Sequence, residues 1–284
     1  MGNCALQYKE LPNWVCSLFL YLCCNFINTF FMTEIKHFFI GENTIDYIPD
    51  EAYDNINHII EDIEAFSHTT YKSMYVIDYF RQDFLYVSDN PLFLCGMTPD
   101  EVRVMGYNFY ISQVPPEDLD LLLEINTAGF QFLQDIPTGE LRDYTISYDF
   151  HIINRQSKKK WLIHHQITPL RLTEKGQVWL ALCAASISSA AKSGNIEMSK
   201  NKTKDLWVYN RGTKKWKQKK HPELKEVEMD VLKLSAMGYT MQEIADEVNR
   251  SFDSVKVYRK SLLEKLGVEN IVEAINYAKN RKII

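Results

Sequence analysis

The last sixty or so residues are so densely marked by helix start and stop signals that few folds remain open to them. A first helix reads from Leu224 to Met237, with Leu224, Val227, Val231 and Leu234 on one face, and Gly238 ends it. Thr240 caps a second helix, and Glu243 three residues on completes a capping box. That helix carries Met241, Ile244, Ala245 and Val248 at the spacing of one buried face, and the small Ala245 lets another helix cross closely. After the short turn Asn249, Arg250, Ser251, the serine caps a third helix over 252–266, which stops at Gly267. A fourth runs from Asn270 and buries Ile271, Ala274, Ile275 and Ala278.

Two helices joined by a tight turn, the second longer than the first, follow the helix-turn-helix plan. The third helix has two opposed faces. Val255, Leu262 and Leu266 share the packing side, while Lys256, Val257 and Lys260 point the other way. Two cations flanking an apolar side chain suit a helix lying in the major groove. The same pattern alone equally fits a four-helix bundle with a solvated lysine face.

The residues as a set resemble the LuxR-type helix-turn-helix family. The resemblance rests on Glu228, Val231, Leu232, Gly238, Glu243, Ile244, Ala245, Ser251, Ser254, Val255, Lys256, Leu263, Lys265, Leu266, Gly267, Val268, Glu273 and Ala274, at gapless spacing. It implies a DNA-binding transcriptional regulator whose DNA contacts are Thr240, Ser254, Lys256, Val257 and Lys260. It also implies dimerisation through the fourth helix, so the expected partners are double-stranded DNA, a second copy of the chain and RNA polymerase. Two positions depart from the family pattern. Arg250 stands where an apolar residue is usual, and Phe252 replaces a common proline at the helix start.

The remainder of the chain has a different character. Its net charge of −5 conceals three segments. Residues 1–191 carry 12 basic against 24 acidic side chains, 192–220 carry 10 against 2, and 221–284 carry 10 against 11. An acidic body, a basic strap and a balanced terminal domain follow one another, and local excess says more about partners than the total.

Within the acidic body, residues 50–66 read as an amphipathic helix with Tyr53, Ile56, Ile59, Ile60, Ile63 and Phe66 on its apolar side. Short strands follow at 75–79 and 84–88. Thr98, Pro99 and Glu101 open a helix, and Val114, Pro115 and Pro116 open another that reaches about Phe132. Three long strands come next, at 144–154, 159–171 and 177–188. The order predicts an α+β domain on an antiparallel sheet of about five strands. That element order, the proline-led helix start before the central strands and the final hairpin resemble a PAS domain over 70–190. The resemblance implies a sensing or dimerisation module with a small ligand between sheet and helices. The predicted architecture is thus a PAS-like α+β domain followed by an all-α helix-turn-helix domain over 221–284. A helical extension over 32–69 precedes the PAS-like domain, and a basic linker or small hairpin over 191–220 joins the two. In that hairpin Trp207, Tyr209 and Trp216 lie among lysines 214, 215, 217, 219 and 220, a mixture open to nucleic-acid contact or to plain solvation.

Residues 14–31 form an apolar run interrupted by Asn25 and Asn28. Three readings stay open for it: residues upstream of a true start at Met32, a membrane tether, or a peripheral helix. Leu6 stands where a myristoylation signal requires Ser or Thr. The expected location is the cytoplasm. None of the six cysteines forms a CxxC pair, so free thiols are expected. No phosphate-binding loop, nucleophile elbow or kinase signature is present, and an enzyme is not expected. Cys95 lacks the Asn-Cys-Arg-Phe context of light-sensing PAS domains. His58, His68, His151, His164 and His165 lack ligand context, so no cofactor is expected.

Overall fold

The computed structural model describes residues 36–284 apart from 40, 204 and 221. The apolar run at 14–31 lies outside the described residues. Among them, eight strands form one antiparallel sheet in the order β2-β1-β5-β4-β3-β6-β7-β8. They are β1 (Ser73–Asp78), β2 (Asp83–Val87), β3 (Tyr144–Ile153), β4 (Lys160–Leu172), β5 (Val178–Ile187), β6 (Gly194–Lys200), β7 (Asp205–Asn210) and β8 (Lys215–Lys219). The first five reproduce the element order on which the PAS resemblance rests.

Alternation gives this sheet two chemically distinct faces. Tyr75, Tyr148, Phe150 and His165 point to the inner face and are buried. Four helices between β2 and β3 cover that face: α2 (Pro91–Leu94), α3 (Pro99–Met105), α4 (Asn108–Gln113) and α5 (Pro116–Gln134). The predicted capping box of α3 is present, with Thr98 and Glu101 bonded both ways. Helix α5 crosses β3 at Gly129, where an added Cβ would stand 3.0 Å from Ile146 Cδ1, so glycine permits the approach.

The outer face is covered at two places. Helix α1 (Ile56–Ser67) lies at the β1–β2 end. Tyr53, just before it, donates to Asp78, and the Ser67 and Tyr86 hydroxyls meet at 3.0 Å. Ile56 and Ile63 are buried there. Phe66, placed on the apolar side by periodicity, is instead 60% exposed, and the next residue, Ser67, takes the position that meets Tyr86.

The basic strap requires correction. Residues 191–220 are not a linker with a lone hairpin, and the sheet does not stop at about five strands. Strand β6 pairs with β3, and the β7–β8 hairpin extends the sheet beyond it. Ile196 and Met198 enter the core at 2% and 1% exposure. Two apolar residues in a polar stretch give too weak a period to announce a strand, and the pairing partner lies some fifty residues away.

The C-terminal domain holds α6 (Glu226–Ala236), α7 (Met241–Glu247), α8 (Phe252–Leu266) and α9 (Ile271–Asn280). Its separate core gathers Val231, Leu232, Ile244, Ala245, Val255, Leu262, Leu266, Ala274 and Ala278. Gly267 ends α8 in the left-handed region at φ 67°, the conformation for which glycine is suited.

Candidate functional site

The geometry of the C-terminal site begins with its caps. The Thr240 hydroxyl accepts from the Glu243 amide, and Glu243 accepts from the Thr240 amide at 2.7 Å, so α7 starts rigidly. Ser251 Oγ accepts from the Ser254 amide and starts α8. Asn249 adopts φ 51° in the turn between them, where an asparagine is tolerated. Arg250 projects to solvent and donates to the Asn249 carbonyl, so its departure from the family pattern leaves no buried charge.

Helix α8 presents the two faces expected of it. Val255 and Leu262 are fully buried, while Val257 is 64% exposed and Lys256 and Lys260 are exposed beside it. Lys256 sits 4.6 Å over the Phe252 ring and 3.4 Å from Asp253, and Lys260 lies 3.8 Å from Glu264. Exposed pairs of this kind contribute little and exchange easily for a phosphate or a base edge. Ser254, its hydroxyl 2.8 Å from that of Ser251, stands half-buried at the helix start, one turn from the exposed trio.

Beneath this surface lies Glu228, 1% exposed, which sequence periodicity does not single out as polar core. It accepts from Lys265 Nζ at 2.6 Å, Ser261 Oγ at 2.8 Å and the Lys225 amide at 2.7 Å. Burial by itself raises its carboxyl, but these three donors outweigh burial and hold it below the usual carboxylate range. The cluster ties α6 to α8.

The PAS-like domain holds a partly open cavity of about 70 Å³ between the sheet and helices α4 and α5. Phenol rings of Tyr79, Tyr107, Tyr110, Tyr144 and Tyr148 line it, and Phe38 closes one side. Behind this wall the Tyr75 hydroxyl bonds to that of Tyr110 and lies 2.5 Å from His165 Nε2. His165 Nδ1 is buried with no partner among the described residues. Burial pushes the His165 imidazole down to about 3, helped by neighbouring His164, so the ring is neutral. The same burial raises the phenols of Tyr75, Tyr107, Tyr110 and Tyr148 well above 10, which leaves the chamber wall uncharged. No local sequence pattern announces this network, because its members lie 35 and 90 residues apart.

His164 and His165 do point to opposite faces. His164 turns outward and bonds Asp149 at 3.0 Å. Among the described residues, no group of three His, Cys, Asp or Glu side chains is arranged for a metal, and no helix is long and apolar enough to cross a membrane. Cys95 and Cys183 are free and buried, and burial pushes the Cys95 thiol up to about 12.

The two domains meet on the outer face of the sheet. Arg281 pairs with Glu197 at 2.5 Å, and Gln166 donates to the Asn280 carbonyl at 3.4 Å. A cleft of about 460 Å³ lies between them, with Leu206 of β7 on one wall and Leu224 and Met229 on the other.

Comparison with known proteins agrees with this geometry. Residues 223–278 match the bacterial regulatory proteins of the luxR family. The C-terminal domain is a LuxR-type helix-turn-helix domain. The transcriptional regulatory protein RcsB of Escherichia coli strain K12 is 44% identical over 50 residues, 18% of this chain and 23% of that protein. RcsB of Shigella flexneri matches equally. The chain thus spans about a quarter of the length of these relatives. Among solved structures, the phage VqmA–DPO complex covers 81% of this chain and 90% of that one, at 18% identity and a TM-score of 0.32. The Vibrio cholerae VqmA dimer covers 78% and 87%, at 16% identity and a TM-score of 0.31. A PAS domain from Colwellia psychrerythraea covers 46% and 96%, at 12% identity and a TM-score of 0.34.

Proposed function

We propose that the protein is a sequence-specific, DNA-binding regulator of transcription, acting in the cytoplasm and coupled to RNA polymerase through the promoter it occupies. The observation that carries this reading is the outward face of α8. Lys256, Val257 and Lys260 stand exposed there on a helix whose opposite side is locked into a LuxR-type core. Each lysine can donate to guanine O6 and N7, and Val257 can meet a thymine methyl. Thr240 and Ser254, at the starts of α7 and α8, lie where the two helices would approach phosphates. One such module buries roughly 600–1,000 Å² on DNA, so a homodimer reading two half-sites supplies the rest of the affinity.

The test uses the full chain and a duplex selected from a random pool by the wild-type protein. Lys256→Ala should weaken binding to that duplex by about 1–3 kcal/mol and leave circular dichroism unchanged, because its side chain points outward. Wild-type binding by Lys256→Ala, Lys260→Ala and the double variant would remove α8 from the major groove. Sedimentation of the protein–DNA complex should give two chains per site.

A second reading, in which the PAS-like domain is a small-molecule receptor and DNA binding its readout, is favoured by the phenol-lined chamber. A largely apolar, uncharged wall of aromatic rings suits a small, uncharged molecule. Protein isolated from its native cell should carry such a molecule, detected by native mass spectrometry and lost in Tyr110→Phe. A chamber that is empty in that preparation counts against the receptor reading.

A further inference from the structure

The C-terminal domain is nearly neutral, with 10 basic and 11 acidic side chains over 221–284. Binding a polyanion draws on cations that neutralise phosphates. The segment immediately before it, 192–220, holds 10 basic against 2 acidic side chains. The fold decides what that excess becomes.

We propose that the outer face of edge strand β8 is a second DNA contact, in which Lys215, Lys217 and Lys219 grip the phosphate backbone while α8 reads the bases. This inference rests on the DNA-binding reading of α8 and adds a surface to it. Alternation along the strand puts the three lysines on one side. All three are exposed, and none makes an ion pair among the described residues. Their neighbours Arg211 and Lys214 are instead held by Glu124 in the turn. The other side of the hairpin is anchored. Trp216 packs on Phe132 and Tyr209 and donates to the Ala128 carbonyl at 3.3 Å, and Trp207 also meets Phe132. The aromatic rings of the strap are therefore engaged inward, and the outer face of β8 presents its lysines to solvent. The surface reads charge, not base stacking.

Register places the row on the same side as the DNA-binding domain. Lys219 pairs with Leu206 and Lys217 with Val208. Leu206 walls the cleft against Leu224 and Met229, so the lysines share the outer face on which the C-terminal domain sits. The chain from Lys219 to the start of α6 at Glu226 spans at most about 24 Å. Alternate residues on a strand stand about 6.7 Å apart, so the row covers about 13 Å, a length over which one DNA strand presents about four phosphates. Lysines on an edge strand have another use, which is to block pairing with a second sheet. The two roles make different predictions.

The experiment compares the full chain with Lys215→Gln/Lys217→Gln/Lys219→Gln, with the matching triple Arg variant, and with Lys256→Ala/Lys260→Ala. Each is titrated against the selected duplex and a mixed-sequence duplex over a range of salt. The triple Gln variant should weaken binding to both duplexes by the same factor, about 10- to 100-fold at physiological salt, and its log–log salt slope should be shallower by about 2–3. The triple Arg variant should keep the wild-type slope. Lys256→Ala/Lys260→Ala should lose preference for the selected duplex and keep most of its mixed-sequence binding. A wild-type slope and affinity in the triple Gln variant, with circular dichroism unchanged, would overturn the proposal. Self-association of that variant in sedimentation would then assign the row to edge protection. Loss of selectivity failing to appear in the α8 variant would strike the DNA-reading assignment, a separate result.

Discussion

The caps that start helices α7, α8 and α9 are satisfied within three residues, whereas the polar network inside the sheet domain is assembled from residues far apart in the chain. In the C-terminal domain the cap pairs Thr240 with Glu243, Ser251 with Ser254 and Asn270 with Glu273 are all three residues apart. In the PAS-like domain Tyr75 finds Tyr110 across 35 residues and His165 across 90, and Lys72 finds Gln166 across 94. A domain stabilised by local signals shows its plan in a short window of sequence. A domain stabilised by register shows it once the strands are paired.

That contrast can be broken one domain at a time. Trp161, Trp179, Trp207 and Trp216 belong to the sheet, Trp14 lies outside the described residues, and the C-terminal domain has no tryptophan. Emission from these four therefore reports the sheet domain, while helical circular dichroism reports both domains, so helical signal lost with emission unchanged marks the C-terminal domain. Phe150→Ala, at a fully buried position of β3, should destabilise the sheet by about 3–5 kcal/mol. Urea unfolding by tryptophan emission should shift, with the C-terminal transition in place. Leu262→Ala should cost about 2–5 kcal/mol in the C-terminal domain alone, read as helical signal lost while emission holds. If either substitution moves both transitions equally, the domains fold as one unit through the Arg281–Glu197 contact.

Acid should separate the domains as well. His165 is held neutral in the fold, with its pKa lowered to about 3 against 6.5 unfolded. Between those values the unfolded state binds a proton that the folded state refuses, so stability is full above the unfolded value and falls as pH drops. The sheet should lose on the order of 2 kcal/mol by pH 5 from this residue. Glu228 is also depressed, so its contribution to the C-terminal domain persists to lower pH and is lost as pH falls from the ordinary glutamate value through its own. Thermal melts from pH 7 to pH 4 should weaken the emission transition first. A simultaneous loss would place the decisive protonation elsewhere. The smallest effect belongs to a cap. Thr240→Ala should cost about 1 kcal/mol, visible in the helical transition alone.

Much of the C-terminal site was legible because helix caps, stops and a 3.6-residue period act within a few residues. Thr240, Ser251, Gly267 and the exposed trio Lys256, Val257 and Lys260 follow from that reading alone. Glu228 did not, since its partners Ser261 and Lys265 come from another helix. The five PAS-like strands were legible as β-rich runs between turn signals, but their neighbours were not. Strand β6, with Ile196 and Met198 as its apolar signal, became a strand because β3 offered a free edge. The basic strap shows the division most plainly. Sequence by itself determined its charge and a hairpin turn. Tertiary structure decided that Trp216 anchors inward while Lys215, Lys217 and Lys219 face the side where the C-terminal domain docks. The reason is physical: side-chain alternation is local, but which face is buried depends on what packs against the sheet.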